Sequence, residues 1–314
     1  NELSLEGNEV AKKILAIRGN SKMNGTYITG YRKQLIGDRG YQTYKLHAAT
    51  TGRLGGGGPS MLTIPRDKRV KRMVLPDEGQ VIVGADASQM ELRILAMESQ
   101  DPWLIEAFQP EAGDFFDLIM LQAYPELDPV QLKKVSLGEY TDLRASIKGT
   151  IYGKAFNRGD KAIATALGIT LAEATKLSEA FIRPGSKFAQ WRDEIERKAV
   201  SGESIINRFG RHFQSELVTF RNRQQVINSA MSFISQSTGN DLLLCAALEV
   251  EPRLHEWNAR MMGTIHDAIY CSVPPEHAEA VGEFISQEII ASGARVYGDE
   301  VSFVSDWGIG NNLG

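Results

Sequence analysis

Cysteine is almost missing from this chain. Cys245 and Cys271 are the only two in 314 residues. So few thiols exclude a disulfide-built scaffold and suit a reducing cytoplasm. Long apolar runs are missing too. No stretch approaches the roughly 18 residues that a membrane-spanning helix needs. There are no internal repeats, and the one low-complexity tract is Gly55–Gly58. The first residue is Asn1 rather than methionine, as in a processed or trimmed fragment. What remains is an ordinary globular composition, 42% hydrophobic and 24% charged, long enough for a large core and two or three subdomains.

Acidic residues are nearly missing from one region. From Lys12 to Met73 there are 14 Lys and Arg against only Asp38 and Asp67, a local balance of +12. Since the whole chain carries −4, the rest carries −16. A basic block inside an acidic chain is either a solvated face or a surface for phosphates, because each neutralised phosphate releases counterions. Tyr27, Tyr31, Tyr41 and Tyr44 are interleaved with these charges as stacking or packing groups.

Two apolar, β-branched runs lead to aspartates. Gln80 to Ala85 reads as a buried strand that ends at Asp86, with a helix starting near Ser88. Met261 to Ile265 and Ala268 to Val273 flank His266-Asp267 with hairpin-like alternation. Two carboxylates delivered by two strands suit a divalent metal. Asp86 has a second reading, as the cap of the following helix. On the helix expected around Thr141–Gly153, Arg144, Lys148 and Tyr152 recur every four residues and form one stripe. Two cations and an aromatic without an acid fit an anionic ligand with a planar end, such as a nucleotide. The alternative is an exposed basic face with a core tyrosine. The glycine tract reads as a flexible turn, or as backbone open to a phosphate, but it lacks the Gly-Lys-Ser/Thr ending of a P-loop.

Coarser expectations follow in chain order. A helix end lies near Glu9–Ile17, then a glycine-broken polar segment runs from Arg18 to Tyr27, and a strand covers Tyr41–His47. The region from Pro102 to Arg223 is mainly helical, with helices over Asp114–Ala123 and Leu167–Ile182 and a hairpin over Gly202–Phe213. One or two amide-rich helices cover Arg223–Val250, and an amphipathic helix covers Glu276–Ala291.

The order of these segments resembles the polymerase module of family A DNA polymerases, the bacterial polymerase I and phage group. Asp86-Ala-Ser-Gln-Met-Glu-Leu-Arg93 is similar to that family's motif A. Arg144-x3-Lys148-x3-Tyr152-Gly153 is similar to motif B, and Ile265-His266-Asp267 to motif C. Thr51-Gly52-Arg53-Leu54 with Pro59 and Ile64-Pro65, the spacing of Arg18, Lys22, Thr26 and Tyr27, and that of Gln236 and Asp241 match three further segments. Together they span nearly the whole chain.

The resemblance implies an α+β right-hand polymerase, with an antiparallel palm sheet and a helical fingers insert. Residues 1–98 and 223–314 would form the palm and 99–222 the fingers. A thumb and a 3′–5′ exonuclease domain are not in this chain, so it is either a fragment or one half of a split polymerase. The implied reaction is templated addition of dNTPs to a primer 3′-OH, in DNA replication. Asp86, Asp267 and Lys148 would be catalytic. Asp86, Asp267 and the Ala87 carbonyl would hold two Mg²⁺ ions, for which Mn²⁺ can substitute, about 3.5–4 Å apart. Arg144, Lys148, Tyr152, Glu91, Gln89 and Ser88 would bind the nucleotide. Arg53, Gln236, His266, Lys22, Arg18, Tyr27, Phe156 and Arg211 would contact primer–template DNA. Arg53 and Gln236 would probe minor-groove acceptors shared by every correct base pair.

Several positions depart from the family's pattern. Ala87 replaces Tyr, Ala268 replaces the Glu of motif C, and Phe156-Asn157 replaces Tyr-Gly after motif B. Phe116 stands at a frequent His, and Asn228 and Ser232 at a usual Arg and Asn. This suggests a divergent, viral member. By the family's pattern, Tyr at 152 implies tolerance of dideoxynucleotides. Two rivals are a single-subunit RNA polymerase and a catalytically decayed module that only binds nucleic acid. Glu91 and Thr51–Leu54 favour DNA over RNA synthesis, and the intact Asp86, Asp267, Arg144 and Lys148 favour catalysis.

Overall fold

The structure, a computed structural model, describes residues 8–46, 48–65, 67–183, 185–215 and 217–314. His47, at the end of an expected strand, and Arg66, in the basic block, lie outside the described residues.

Helix α1 (Glu9–Lys22) is capped by Asn8, whose side chain accepts from the Val10 and Ala11 N–H groups. The glycines beyond Arg18 do not break it. The helical path continues as a wide turn, Met23–Thr29, and then Gly30–Arg32. No residue of α1 is buried, but Tyr27 in the wide turn is. The Tyr27 hydroxyl donates to the Thr63 carbonyl (2.8 Å) and that of Tyr31 to the Ser60 carbonyl (2.5 Å). These bonds tie the arm to the loop ahead of the sheet, so the two tyrosines pack rather than stand free.

The glycine tract is not a loose turn. Strand β1 (Thr43–Lys45) pairs antiparallel with β2 (Gly55–Gly57). A Cβ on Gly56 would fall 1.7 Å from Ser60 Oγ, so the close return of the chain over this strand requires glycine.

The main sheet comprises β3 (Val81–Ala87), β4 (Arg260–Ile265), β5 (Ala268–Val273) and β6 (Ser305–Gly310). Their order is β4-β5-β3-β6, and every pairing is antiparallel. The helices inserted between β3 and β4 are α2 (Met90–Ser99), α3 (Phe115–Ala123), α4 (Leu137–Ala155), α5 (Asp160–Leu167), α6 (Leu171–Ile182), α7 (Lys187–Ser201) and α8 (Arg223–Val250), with shorter ones at Pro102–Ala107 and Pro129–Val135. Helix α9 (Ala278–Tyr297) joins β5 to β6. The expected α+β plan of an antiparallel sheet backed by helices is therefore the observed one.

Alternation along β3 sets its two faces. Val83, Ala85 and Ala87 are buried in one core with Leu92 and Leu95 of α2, Leu242 and Ala246 of α8, and Val281 and Ile285 of α9. Gly84 and Asp86 point the other way. A second core, including Ile195 and Ala199 of α7 and Ile227, Ala230 and Met231 of α8, fastens the inserted helices to the long helix.

Two local expectations change. The helix expected over Leu167–Ile182 is α6, which starts four residues later at Leu171, with a separate helix, α5, ending at Leu167. Gly168 at φ +71 ends α5, and Thr170 with Glu173 forms a capping box that starts α6. The hairpin expected at Gly202–Phe213 is reduced to one bridge, Ile206 with His212. Asn207 Oδ1 holds its turn by accepting the Phe209 and Arg211 N–H groups. Arg223–Val250 is one helix of 28 residues. Among the described residues, no helix is long and apolar enough to cross a membrane.

Candidate active site

Asp86 opposes Ala268 on β5 and Asp306 on β6. Cross-strand partners share a face, so Asp306 stands beside Asp86 on the side away from the core. Asp86 does not cap α2. That helix starts at Met90 after Gln89, which turns the chain at φ 57 with no side-chain cap bond. The carboxylate is thus left for the open face, which removes the capping reading. His266 and Asp267 form the two-residue turn between β4 and β5, with His266 exposed at φ 52. The Asp267 carbonyl accepts the Ala87 N–H at 3.0 Å, which pins the tip of this hairpin to the end of β3.

Helix α4 brings its stripe to the same place. Ile147 and Ile151 are fully buried on the core side of that helix. Arg144, Lys148 and Tyr152 line a cavity of about 400 Å³ together with Asp86, Ala87, Ser88, Gln89, Glu91, Asp267 and Asp306. Arg144 Nη2 donates to Asp114 Oδ2 at 2.7 Å, and its guanidinium lies 4.9 Å from the centre of the Phe116 ring. Phe116 therefore steadies a cation through its π face. At the other side, Arg53 pairs with Glu91 and reaches to 3.8 Å from Asp267 Oδ1. Glu91 is nearly buried, 8% exposed.

Burial, and after it the crowding of carboxylates, raises their proton affinity. Desolvation, followed by the charges of Asp267 and Asp306, pushes Asp86 up to about 6. Burial outweighs the Arg53 pairing and pushes Glu91 up to about 7. Burial also raises Asp267, against the pull of Arg53. The Tyr152 phenol is raised by burial and then by Glu91, so it stays protonated as a donor.

Sequence reasoning missed two contributors. Asp306 lies far from Asp86 in sequence, and only the β3–β6 pairing reveals it. Its Oδ2 accepts a 2.6 Å hydrogen bond from Ser88 Oγ. Arg93, quoted only as the end of motif A, donates from Nε to the Ser88 carbonyl at 3.0 Å and from Nη1 to the Phe108 and Ser302 carbonyls. It fastens the turn after Asp86 from beneath. Its signal was a buried arginine in an apolar helix, which demands partners.

Among the described residues, no three His, Cys, Asp or Glu side chains form a ready metal cluster. The available donors are oxygens: the Asp86 and Asp267 carboxylates and the backbone around Ala87. Such an open set fits Mg²⁺, which tends to use one or two carboxylates and to complete its shell with waters and substrate phosphates. Arg144 and Lys148, which line the same cavity, suit those phosphates.

The remaining expected contacts fall elsewhere. Phe156 and Gln236 line a second groove of about 460 Å³ with Gln225, Asn228, Ser229 and Ser232. Arg18 and Lys22 are exposed on α1. The hydroxyl of Tyr27 is committed to Thr63. Arg211 is committed to Asp241, with Nη2 donating at 2.8 Å to Oδ1, while Asn240 donates to the Gly52 carbonyl at 3.1 Å.

The sequence profile described as DNA polymerase family A matches residues 1–314. The chain is 27% identical to the thermostable DNA polymerase I of Thermus aquaticus over 98% of its own length and 36% of that protein's. It is 29% identical to DNA polymerase I of Aquifex aeolicus, over 91% of its length and 48% of that protein's. It thus spans about a third to a half of these relatives. Its fold is similar to the POL domain of Pol1 from M. smegmatis, solved in complex with DNA primer-template and dNTP. The TM-score is 0.84 at 22% identity, over 99% of this chain and 54% of that one.

Proposed function

This chain belongs to DNA polymerase family A, and we propose that it extends a primer 3′-OH with dNTPs under the direction of a DNA template, in DNA replication. The observation that carries this reading is one cavity lined from two parts of the fold. Strand β3 and the β4–β5 turn bring Asp86 and Asp267 to it, and helix α4 brings Arg144, Lys148 and Tyr152. A metal-compatible pair of carboxylates beside two cations and a ring has the polarity of a nucleoside triphosphate laid across it.

Asp86, Asp267 and the Ala87 carbonyl would hold divalent ions, and Mg²⁺ bound there would activate the primer hydroxyl and steady the leaving pyrophosphate. Arg144 would grip the triphosphate, releasing Asp114 as it does so. Lys148 would give a proton to the departing pyrophosphate as general acid. Tyr152 would pack on the incoming base and sugar, with Ser88 and Gln89 lining the same pocket. Glu91, held by Arg53, would crowd the 2′ position and exclude ribonucleotides. Arg53, Gln236 and His266 would meet the primer–template, and the arm with Arg18, Lys22 and Tyr27 would follow its backbone, with Arg211 supporting the Gly52–Arg53 segment. Residues 1–98 and 223–314 would act as palm and 99–222 as fingers.

Primer extension with Mg²⁺, beside Asp267→Ala, tests the reading. Extension by the unmodified chain and its loss in the variant are expected. No extension by the unmodified chain with all partners present would overturn it.

A further inference from the structure

Two of the departures from the family's pattern touch each other. Asn157 stands where a glycine is usual after motif B, and Asn228 where a cation is usual on α8. Asn157 has φ 60, a left-handed backbone that asparagine enters more readily than most residues. The chain therefore keeps the turn a glycine would make and gains a side chain. Both ends of that side chain are used. Its Nδ2 donates to Asn228 Oδ1 at 3.0 Å, and its Oδ1 accepts from Arg192 Nη2 at 2.6 Å. Gln224 Nε2 donates to the same Asn228 oxygen at 2.9 Å. The Arg192 guanidinium rests 6.0 Å from the Phe188 ring centre. A relay thus runs from α7, through the end of α4, to α8.

This relay borders the 460 Å³ groove. One ring, Phe156, forms part of its wall, and every other lining residue is a neutral amide or hydroxyl: Gln225, Asn228, Ser229, Ser232 and Gln236. A phosphate would find no cation there. An unpaired nucleobase would find a π face and hydrogen-bonding groups for its edge.

We propose that Asn157 and Asn228 are positioning residues for the template base waiting to be copied. Their hydrogen bond fixes the separation between the Phe156 ring and the amide face of α8, and so the width of the groove that takes that base. The proposal rests on the polymerase reading. It adds that recognition at this point is neutral, made through the base rather than through its phosphate.

The test is equilibrium binding of the full chain to a primer–template that carries either a base or an abasic residue at the first unpaired template position. The variants are Asn157→Gly, Asn228→Ala and the double. Asn157→Gly keeps the backbone turn, and thermal melting checks that each variant folds. The unmodified chain is expected to prefer the base by about tenfold, the scale of one base stacked on an aromatic ring. Each single variant should lower that ratio to about threefold, and the double should go no lower, because both cut the same bridge. Raising salt from about 50 to about 200 mM should weaken both complexes and leave the ratio unchanged, since no counterion-releasing contact distinguishes them. No base preference in the unmodified chain, an unmoved ratio in both single variants, or strictly additive losses in the double would overturn the proposal. Primer extension by the unmodified chain on the same base-bearing template separates the two failures. If extension occurs and the ratio does not move, only the positioning role falls; if extension is absent, the polymerase reading falls.

Discussion

Asp306 stands directly across the β3–β6 ladder from Asp86 and accepts a 2.6 Å hydrogen bond from Ser88 Oγ. On the other side of Asp86, at Ala268, there is only a methyl group. Two like charges opposite each other in a sheet are destabilising, and a site that keeps them has a use for the field. Asp306 places negative potential beside Asp86 from β6, where Ala268 on β5 places none. Asp306→Asn retains the acceptor for Ser88 and removes only the charge. It should raise the Mg²⁺ concentration needed for half-maximal extension by about tenfold, the usual scale for a group supporting metal ligands from behind. The rate at saturating Mg²⁺ should change less. An unchanged Mg²⁺ requirement would reduce Asp306 to a structural partner of Ser88.

What was legible in the sequence, and what was not, divides by range. The strand before Asp86, the hairpin around Asp267 and the Arg144–Lys148–Tyr152 stripe are local patterns of period two and four, and each appears in the structure where the pattern put it. Asp306 and Arg93 escaped because their importance comes from pairings distant in sequence, a strand ladder and a set of buried carbonyls. Tyr27, which reads as a stacking or packing group, packs, its hydroxyl bonded to Thr63, and Arg211 is paired with Asp241; neither partner is visible in local sequence. The glycine tract misled. Composition suggested looseness, where the close return of Ser60 over β2 demands residues without side chains.

Acid–base behaviour follows from the same burial and crowding. Asp86 has a folded-state pKa of about 6, above its ordinary value of 3.8. A raised carboxylate pKa means that the folded chain binds more protons than the unfolded chain between those values. Stability therefore falls as pH rises from about 4 to about 6 and levels off above. Asp86→Asn removes this burden. In chelator, it should melt higher than the unmodified chain at about pH 8, and the difference should shrink as pH drops toward 4. Equal melting temperatures at both ends of that range would show that the charge carries no folding cost.

Arg144 is held by Asp114. Asp114 has a second task, since its Oδ1 caps α3 by accepting the Phe116 and Asp117 N–H groups. Asp114→Asn keeps an N-cap of nearly equal quality and abolishes the ion pair. Because both partners are about a third exposed, 31% and 35%, the pair is worth no more than about 1 kcal/mol. The expected result is a dNTP KM lowered by about threefold with an unchanged melting temperature. Arg144→Ala should instead cut kcat/KM by about 100-fold, the scale of losing one charge-stabilising donor at a reacting phosphate. A higher KM in Asp114→Asn would mean that Asp114 orients Arg144 toward the substrate rather than competing for it.

Glu91 pairs with Arg53 and lines the cavity that holds Tyr152, and the two readouts of that pairing can be separated. Glu91→Ala opens space beside Tyr152 and should relax discrimination against ribonucleotides by about 10- to 100-fold, the range a small change of pocket shape commands. It also leaves Arg53 without its near partner, 3.8 Å from Asp267. A guanidinium drawn further toward that aspartate would compete with a divalent ion, so the variant should need more Mg²⁺ as well. Glu91→Gln fills the same volume without the charge. It should retain ribonucleotide exclusion while sharing the raised Mg²⁺ requirement. Single-nucleotide insertion with dNTP and rNTP across a Mg²⁺ series reads both quantities at once. If Gln and Ala relax ribonucleotide exclusion equally, exclusion depends on the carboxylate's charge and its pairing with Arg53 rather than on bulk.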